Sequence, residues 1–175
     1  GTVDMGNAVK GISIEHSASN IIGGSLASER NIISGNDNDG IIIWGSGSTL
    51  NVVQGNYIGV DVTGNNPLGN SADGINISGG ASNNTIGGDR TAGEGNVISG
   101  QLGVNSDGVE IDNAGADNNK IYGNYIGTNY DGTVAIGNAR SGVVIYDEDA
   151  ESHQRVGPHL AWDGFLSQIV GHAES

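Results

Sequence analysis

The sequence predicts an all-β chain wound as a parallel β-helix of about four to five coils. Three observations carry that prediction. Glycine supplies 32 of the 175 residues and asparagine another 21, a composition poor in helix formers and rich in residues that tolerate turns. A Gly-apolar-x-apolar motif recurs five times, at start-to-start spacings of 29, 34, 34 and 34 residues. Each unit holds three short runs with period-two alternation, separated by Gly, Asn and Asp, and this is the pattern of one three-sided coil.

The first run of each coil is Gly11-Ile12-Ser13-Ile14, Gly40-Ile41-Ile42-Ile43, Gly74-Ile75-Asn76-Ile77, Gly108-Val109-Glu110-Ile111 and Gly142-Val143-Val144-Ile145. Side chains alternate across a strand. Ile12, Ile41, Ile75, Val109 and Val143 should therefore form one inward column, and Ile14, Ile43, Ile77, Ile111 and Ile145 the next. The second run follows Asn20, Asn51, Asn84 and Asn119, and the third follows Asn31, Asn56, Asn96 and Asn124. These asparagines fall at corners, where positive φ is tolerated and stacked amides can hydrogen-bond from coil to coil. Alternate coils resemble each other most: Asn51–Gly59 reads NVVQGNYIG and Asn119–Gly127 reads NKIYGNYIG. Gly1-Thr2-Val3 matches Gly132-Thr133-Val134, so the chain opens inside a repeat and is expected to be a segment of a longer array. The pattern covers residues 1–146. Residues 147–175 contain no Asn, three of the four His and the single Phe, and are expected to be a C-terminal cap or a non-native tail.

Composition removes several classes. Twenty Ile are not a disordered composition. No run of eighteen apolar residues is present, so no membrane insertion is expected. Six cations against twenty acids give a net charge of −14, which leaves no basic footprint for nucleic acid. With no Cys there is no disulfide framework. An acidic, cysteine-free repeat chain suits an extracellular or cell-surface bacterial protein. Both solenoid ends and the apolar strip at Ile42 and Trp44 need cover, so a homo-oligomer is expected.

Two outward columns on the first run hold the chemistry. One is Ser13, Ile42, Asn76, Glu110 and Val144; the other is Glu15, Trp44, Ser78, Asp112 and Tyr146. Glu110 and Asp112 stand two residues apart on one face, ~6.5–7 Å between Cα atoms. A carboxylate pair so spaced can serve as the acid and base of an inverting glycosidase. Trp44, Tyr146 and Glu15 share that face and are the candidate substrate contacts for a polysaccharide or other glycan. The same residues also read as a solvated strand face.

A second feature is the column Asp39, Asp73 and Asp107, each one residue before the glycine of a first run. Stacked ~4.8 Å apart, these carboxylates must either hold raised pKa values or take up a cation, for which calcium is the natural choice. The chemistry requires no other cofactor. The arginines Arg30, Arg90 and Arg140 do not share a sequence column, which disfavours lyase chemistry.

The repeats resemble the right-handed parallel β-helix proteins of the pectin-lyase-like class over residues 1–146. Asn105-Ser106-Asp107-Gly108-Val109 is similar to the Asn-Thr-Asp-Gly-Ile segment of polygalacturonases, and that resemblance implies a catalytic role for Asp107. The paired Asp-Asp and Gly-His-Gly segments of that family are absent. The class contains polysaccharide lyases, hydrolases, esterases and non-catalytic surface arrays. Two expectations follow: an extracellular carbohydrate-active hydrolase (glycosidase or carbohydrate esterase), or a non-catalytic repeat module of a surface adhesin or scaffold, calcium-stabilised in one version.

Overall fold

A computed structural model describes residues 5–146 and 154–156. The first coil carries β1 (Ile12–Glu15), β2 (Ile21–Gly23) and β3 (Ile32–Ile33). The second carries β4 (Ile41–Trp44), β5 (Val52–Gln54) and β6 (Tyr57–Ile58). The third carries β7 (Ile75–Ser78), β8 (Thr85–Gly87) and β9 (Val97–Ile98). The fourth carries β10 (Val109–Asp112), β11 (Lys120–Tyr122) and β12 (Tyr125–Ile126). β13 (Val143–Tyr146) and β14 (Arg155–Val156) open a fifth. Every strand pairs in parallel with its counterpart one coil away, giving three sheets: β1-β4-β7-β10-β13, β2-β5-β8-β11-β14 and β3-β6-β9-β12. The chain is thus a parallel β-helix.

The registers place the expected inward columns together. Ile12 pairs with Ile41, Ile41 with Ile75, Val109 with Ile75 and with Val143. Ile41, Ile43, Ile75 and Ile77 are completely buried, and each such side chain contributes ~1.5–3 kcal/mol by leaving water. The second sheet adds Val53, Ile86 and Ile121, and the third adds Ile33, Ile58, Ile98 and Ile126. Ile145, on β13 at the end of the first sheet, is only half-buried.

The corners hold the coils in register. In each asparagine column the backbone N–H and the Nδ2 of one coil donate to the Oδ1 of the next. Asn51 does so to Asn84 at 3.0 and 3.0 Å, and Asn84 to Asn119 at 2.9 and 3.0 Å. Asn56 reaches Asn96, and Asn96 reaches Asn124, in the same way. The second hydrogen of Nδ2 goes to a carbonyl, as from Asn84 to Ser48 O at 3.0 Å. Every hydrogen-bonding group of such an amide is therefore used, and that is why it can be fully buried.

A third ladder runs through Asn7, Asn36, Asn70, Gln101 and Asn138. Gln101 replaces asparagine, and its Oε1 accepts from both Asn70 nitrogens at 3.0 Å. Gln154 does the same at the first ladder, accepting from Asn119 N at 3.0 Å and donating to Ala116 O. Gln154 thus stands at a corner of the first ladder, and Arg155–Val156 pairs with β11. The rest of the expected cap or tail at 147–175 lies outside the described residues.

Two kinds of excursion alternate. Coils one and three insert short 3-10 turns, Ala27–Glu29 and Arg90–Ala92. Coils two and four extend loops closed by the antiparallel bridges Val60–Pro67 and Thr128–Ala135. These loops touch across two coils, Tyr130 N donating to Gly64 O at 3.0 Å. They cover a small outer core of Tyr57, Val60, Val97 and Ile136. Gly55 and Gly123 mark equivalent corners at φ 70° and 69°. A Cβ would lie 2.0 Å from Gly24 O at the first and 1.9 Å from Gly88 O at the second, so no other residue fits.

Candidate functional site

The first sheet brings together part of what the sequence singles out. Asp39, Asp73 and Asp107 stack at the entrance to β4, β7 and β10, and all three are buried. Their bonding polarity is the reverse of the asparagine ladders. The Oδ1 of each accepts the backbone N–H of the following coil: Asp73 N on Asp39 at 3.1 Å, Asp107 N on Asp73 at 2.8 Å, Ser141 N on Asp107 at 2.8 Å.

Three carboxylates then converge. Asp73, Asp107 and Glu110 each present one oxygen, all within 4.8 Å of one another. Asn76 bridges two of them, donating from Nδ2 to Glu110 Oε1 at 3.0 Å and to Asp73 Oδ2 at 3.4 Å. Arg140 of the fifth coil sets its Nη2 3.0 Å from Asp107 Oδ2 and also bonds the Tyr146 hydroxyl. Asp39 stands outside this group.

The electrostatics follow from crowding. Burial, then the charges of Asp73, Asp112 and Asp107, push the Glu110 carboxyl up to about 7, against a smaller opposing pull from Arg140. Burial raises Asp73 as well, and the neighbouring Asp39 and Asp107 add to the effect. Burial also raises Asp39, although Asp73 N–H and Lys10 favour its ionised form. At neutral pH Glu110 is thus poised between acid and base, the condition general acid–base chemistry requires.

The remaining candidates are dispersed. Asp112 is half-buried and its carboxylate accepts from Asn113 N and Nδ2 at 2.7 and 2.9 Å. It shares a strand and face with Glu110 but is not one of the converging oxygens. Trp44 and Tyr146 are three rungs apart, ~14 Å at the strand spacing. Both rings have intramolecular partners. Trp44 packs edge-on to His16 at 4.9 Å and lies where a Cβ on Gly79 would meet its Nε1 at 2.5 Å. Tyr146 carries the Arg140 guanidinium 5.5 Å from its ring centre. Glu15 is exposed at the first rung and accepts from Ser13 Oγ at 2.7 Å. Val144, expected in the open outward column, is buried. Arg140, reaching from Asp107 to the Tyr146 hydroxyl, spans the row in which it sits.

Arg30 and Arg90, apart in sequence pattern, occupy equivalent places. Each donates Nε to the carbonyl of a corner glycine, Gly55 or Gly123, and lies over a tyrosine, Tyr57 at 4.1 Å or Tyr125 at 3.9 Å. Sequence reasoning missed these pairs because the two excursions differ in length before the following asparagine. The Gly-Asn-Tyr-Ile-Gly recurrence at 55 and 123 is the signal that marks them. A surface cavity of about 450 Å³ opens beside the second turn, lined by Gly88, Asp89, Arg90, Thr91, Glu94, Tyr122 and Gly123. It shares no residue with the carboxylate cluster.

No protein-family profile matches the chain, and no curated protein or solved structure is significantly similar to it.

Proposed function

We propose that the chain is a non-catalytic repeat module of an extracellular bacterial surface protein, built on a β-helix of the pectin-lyase-like kind. One observation carries this reading: the aspartates of the candidate site are bonded into the solenoid itself. Each gives an oxygen to the amide of the next coil, and Asp107 gives its other oxygen to Arg140. The two rings expected to bind substrate are likewise engaged within the chain. Purified protein should then show no turnover of polysaccharides or aryl esters above a protein-free blank. Turnover that Glu110→Gln abolishes would overturn the reading.

A calcium-stabilised version rests on the spacing of Asp73, Asp107 and Glu110, since oxygens within 4.8 Å can share one hard cation. Calcium should raise the melting temperature of the wild type and leave Asp73→Asn unchanged. An unchanged wild-type melt removes calcium from the account.

A second reading, glycoside or ester hydrolysis, is favoured by Glu110. Its carboxyl is held at about 7 while Asp112 stands two residues along the same face. A carboxyl poised near neutral pH with a second acid on the same face is the arrangement an acid–base pair needs. Here Glu110→Gln and Asp112→Asn should each lower turnover by at least ~100-fold.

A further inference from the structure

The cavity beside Tyr122 is built from the fold's own alternation. Tyr122 is the register partner of Gly87, so no side chain from the preceding coil covers its outward face. The ring is exposed and forms one wall. Asp89, Arg90, Thr91 and Glu94 line the cavity as well, with Gly88 and Gly123. At about 450 Å³ the space is of small-ligand size.

The hydrogen-bond inventory of the rim narrows the ligand. Most of its donors have partners within the chain. Thr91 N and Oγ1 both donate to Asp89 Oδ1, at 2.8 and 2.7 Å. Asp89 N donates to Glu94 Oε2 at 2.7 Å, and Gly88 N to Tyr122 O at 3.1 Å. Arg90 gives Nε to Gly123 O and Nη2 to Asn124 O, with its guanidinium over Tyr125. What the rim offers in addition is a second oxygen on each of two carboxylates, Asp89 and Glu94, the Tyr122 hydroxyl and an aromatic face. The Thr91 bonds hold Asp89 below the usual carboxylate range, so it stays ionised.

We propose that this cavity binds an alkylammonium group, seated on the Tyr122 ring between the Asp89 and Glu94 carboxylates. Such a cation needs acceptors and a π face, both of which are present. An anion would meet two carboxylates. A neutral sugar would find acceptors but too few donors. Arg90 in the lining, Lys120 two residues back on β11 and its partner Arg155 on the same sheet face oppose a cation, which keeps the expected affinity weak. The equivalent corner two coils earlier has Gln54 in place of Tyr122 and is the internal control.

The test is a backbone-amide NMR titration with choline, spermidine, an N-acetylated lysine amide, methyl glucoside and acetate. The ammonium probes should give saturable shifts centred on Gly88, Thr91 and Gly123, in the millimolar range. Tyr122→Gln should weaken them about three- to fivefold, the worth of one exposed cation–π contact, and Glu94→Gln should do so mainly at low salt. Tighter binding of choline or spermidine would assign a free small molecule. Tighter binding of the lysine amide would assign a lysine side chain of a partner. No saturable shift, a shift with methyl glucoside alone, or a response untouched by Tyr122→Gln would overturn the proposal. The readout is independent of catalysis, so it stands apart from both readings of function.

Discussion

The asparagine ladders and the aspartate column stack near-isosteric side chains at successive corners, yet they solve opposite problems. Asn84 is fully buried and uses every hydrogen-bonding group it has: Oδ1 accepts twice from Asn51, and Nδ2 donates to Asn119 and Ser48. Asp73 is almost as buried. It can only accept, so backbone N–H groups must come to it, and each added rung adds a like charge. Lys10 acts on Asp39 at one end, and Arg140 pairs with Asp107 at the other. The middle rung, Asp73, has the Asp107 N–H, the amide of Asn76 and the carboxyls of Asp107 and Glu110 beside it, and no salt bridge of its own among the described residues. One corner type is neutral and can be repeated indefinitely. The other accumulates charge that cations and protons must offset.

Exchanging the two residue types should therefore have opposite signs. Asn84→Asp removes both Nδ2 bonds and leaves a buried carboxylate facing Asn119 Oδ1 and Ser48 O. The expected cost is ~3–5 kcal/mol, a fall in melting temperature on the order of 10 °C. Asp73→Asn keeps an oxygen for Asp107 N and removes a charge between two others. It should raise stability at pH 8 by ~1 kcal/mol, about 2–4 °C. Thermal melts of both variants in one buffer decide the matter, and a shared sign would erase the distinction between the corners.

The pH profile of the wild type should show the same contrast more gently. Glu110 has its folded pKa raised from 4.5 to about 7, and Asp39 and Asp73 are raised too. The folded state holds these protons more tightly than the unfolded chain. Their stabilising contribution is complete below the unfolded values and is lost as pH rises through the folded ones. Between about pH 4.5 and 7 this cluster should therefore lower stability as pH rises. Glu110→Gln should flatten that slope, whereas Glu15→Gln, on an exposed carboxylate of the same face, should leave it in place. Chemical-denaturant midpoints across the range give the slopes.

The coils were readable because the inward Ile and Val columns and the first asparagine column keep near-constant spacing, while the second, at intervals of 25, 40 and 28 residues, shows through its repeated Asn-x-Ile. The third ladder was readable in part. Asn7, Asn36, Asn70 and Asn138 each stand four residues before the glycine of a first run, but Gln101 stands seven before Gly108. A longer side chain and a three-residue insertion hid one rung, though Gly100 before it keeps the pattern. The register of the aspartates was legible, while their burial and reversed polarity were not. The side chains that meet Asp73 and Asp107, those of Asn76, Glu110 and Arg140, come from three different coils. The engagement of Trp44 and Tyr146 was likewise invisible, since His16 and Arg140 come from other strands or corners.

A smaller effect separates the backbone part of the neutral corner from its amide bonds. The residue before each asparagine of the first ladder is left-handed: Ser19 at φ 60°, Leu50 at 57°, Asn83 at 58° and Asn118 at 55°. Leu50 is the odd member, an exposed branched side chain in a conformation that costs most L-residues ~1–2 kcal/mol. Asparagine tolerates that conformation and already fills it two and three corners away from the first. Leu50→Asn should therefore stabilise by ~0.5–1 kcal/mol, a rise of about 1–4 °C in melting temperature, with no change in the pH slope. Asn83→Leu should cost a similar amount. If both changes are neutral, backbone strain contributes little at these corners, and the stability of the ladder lies in its amide bonds alone.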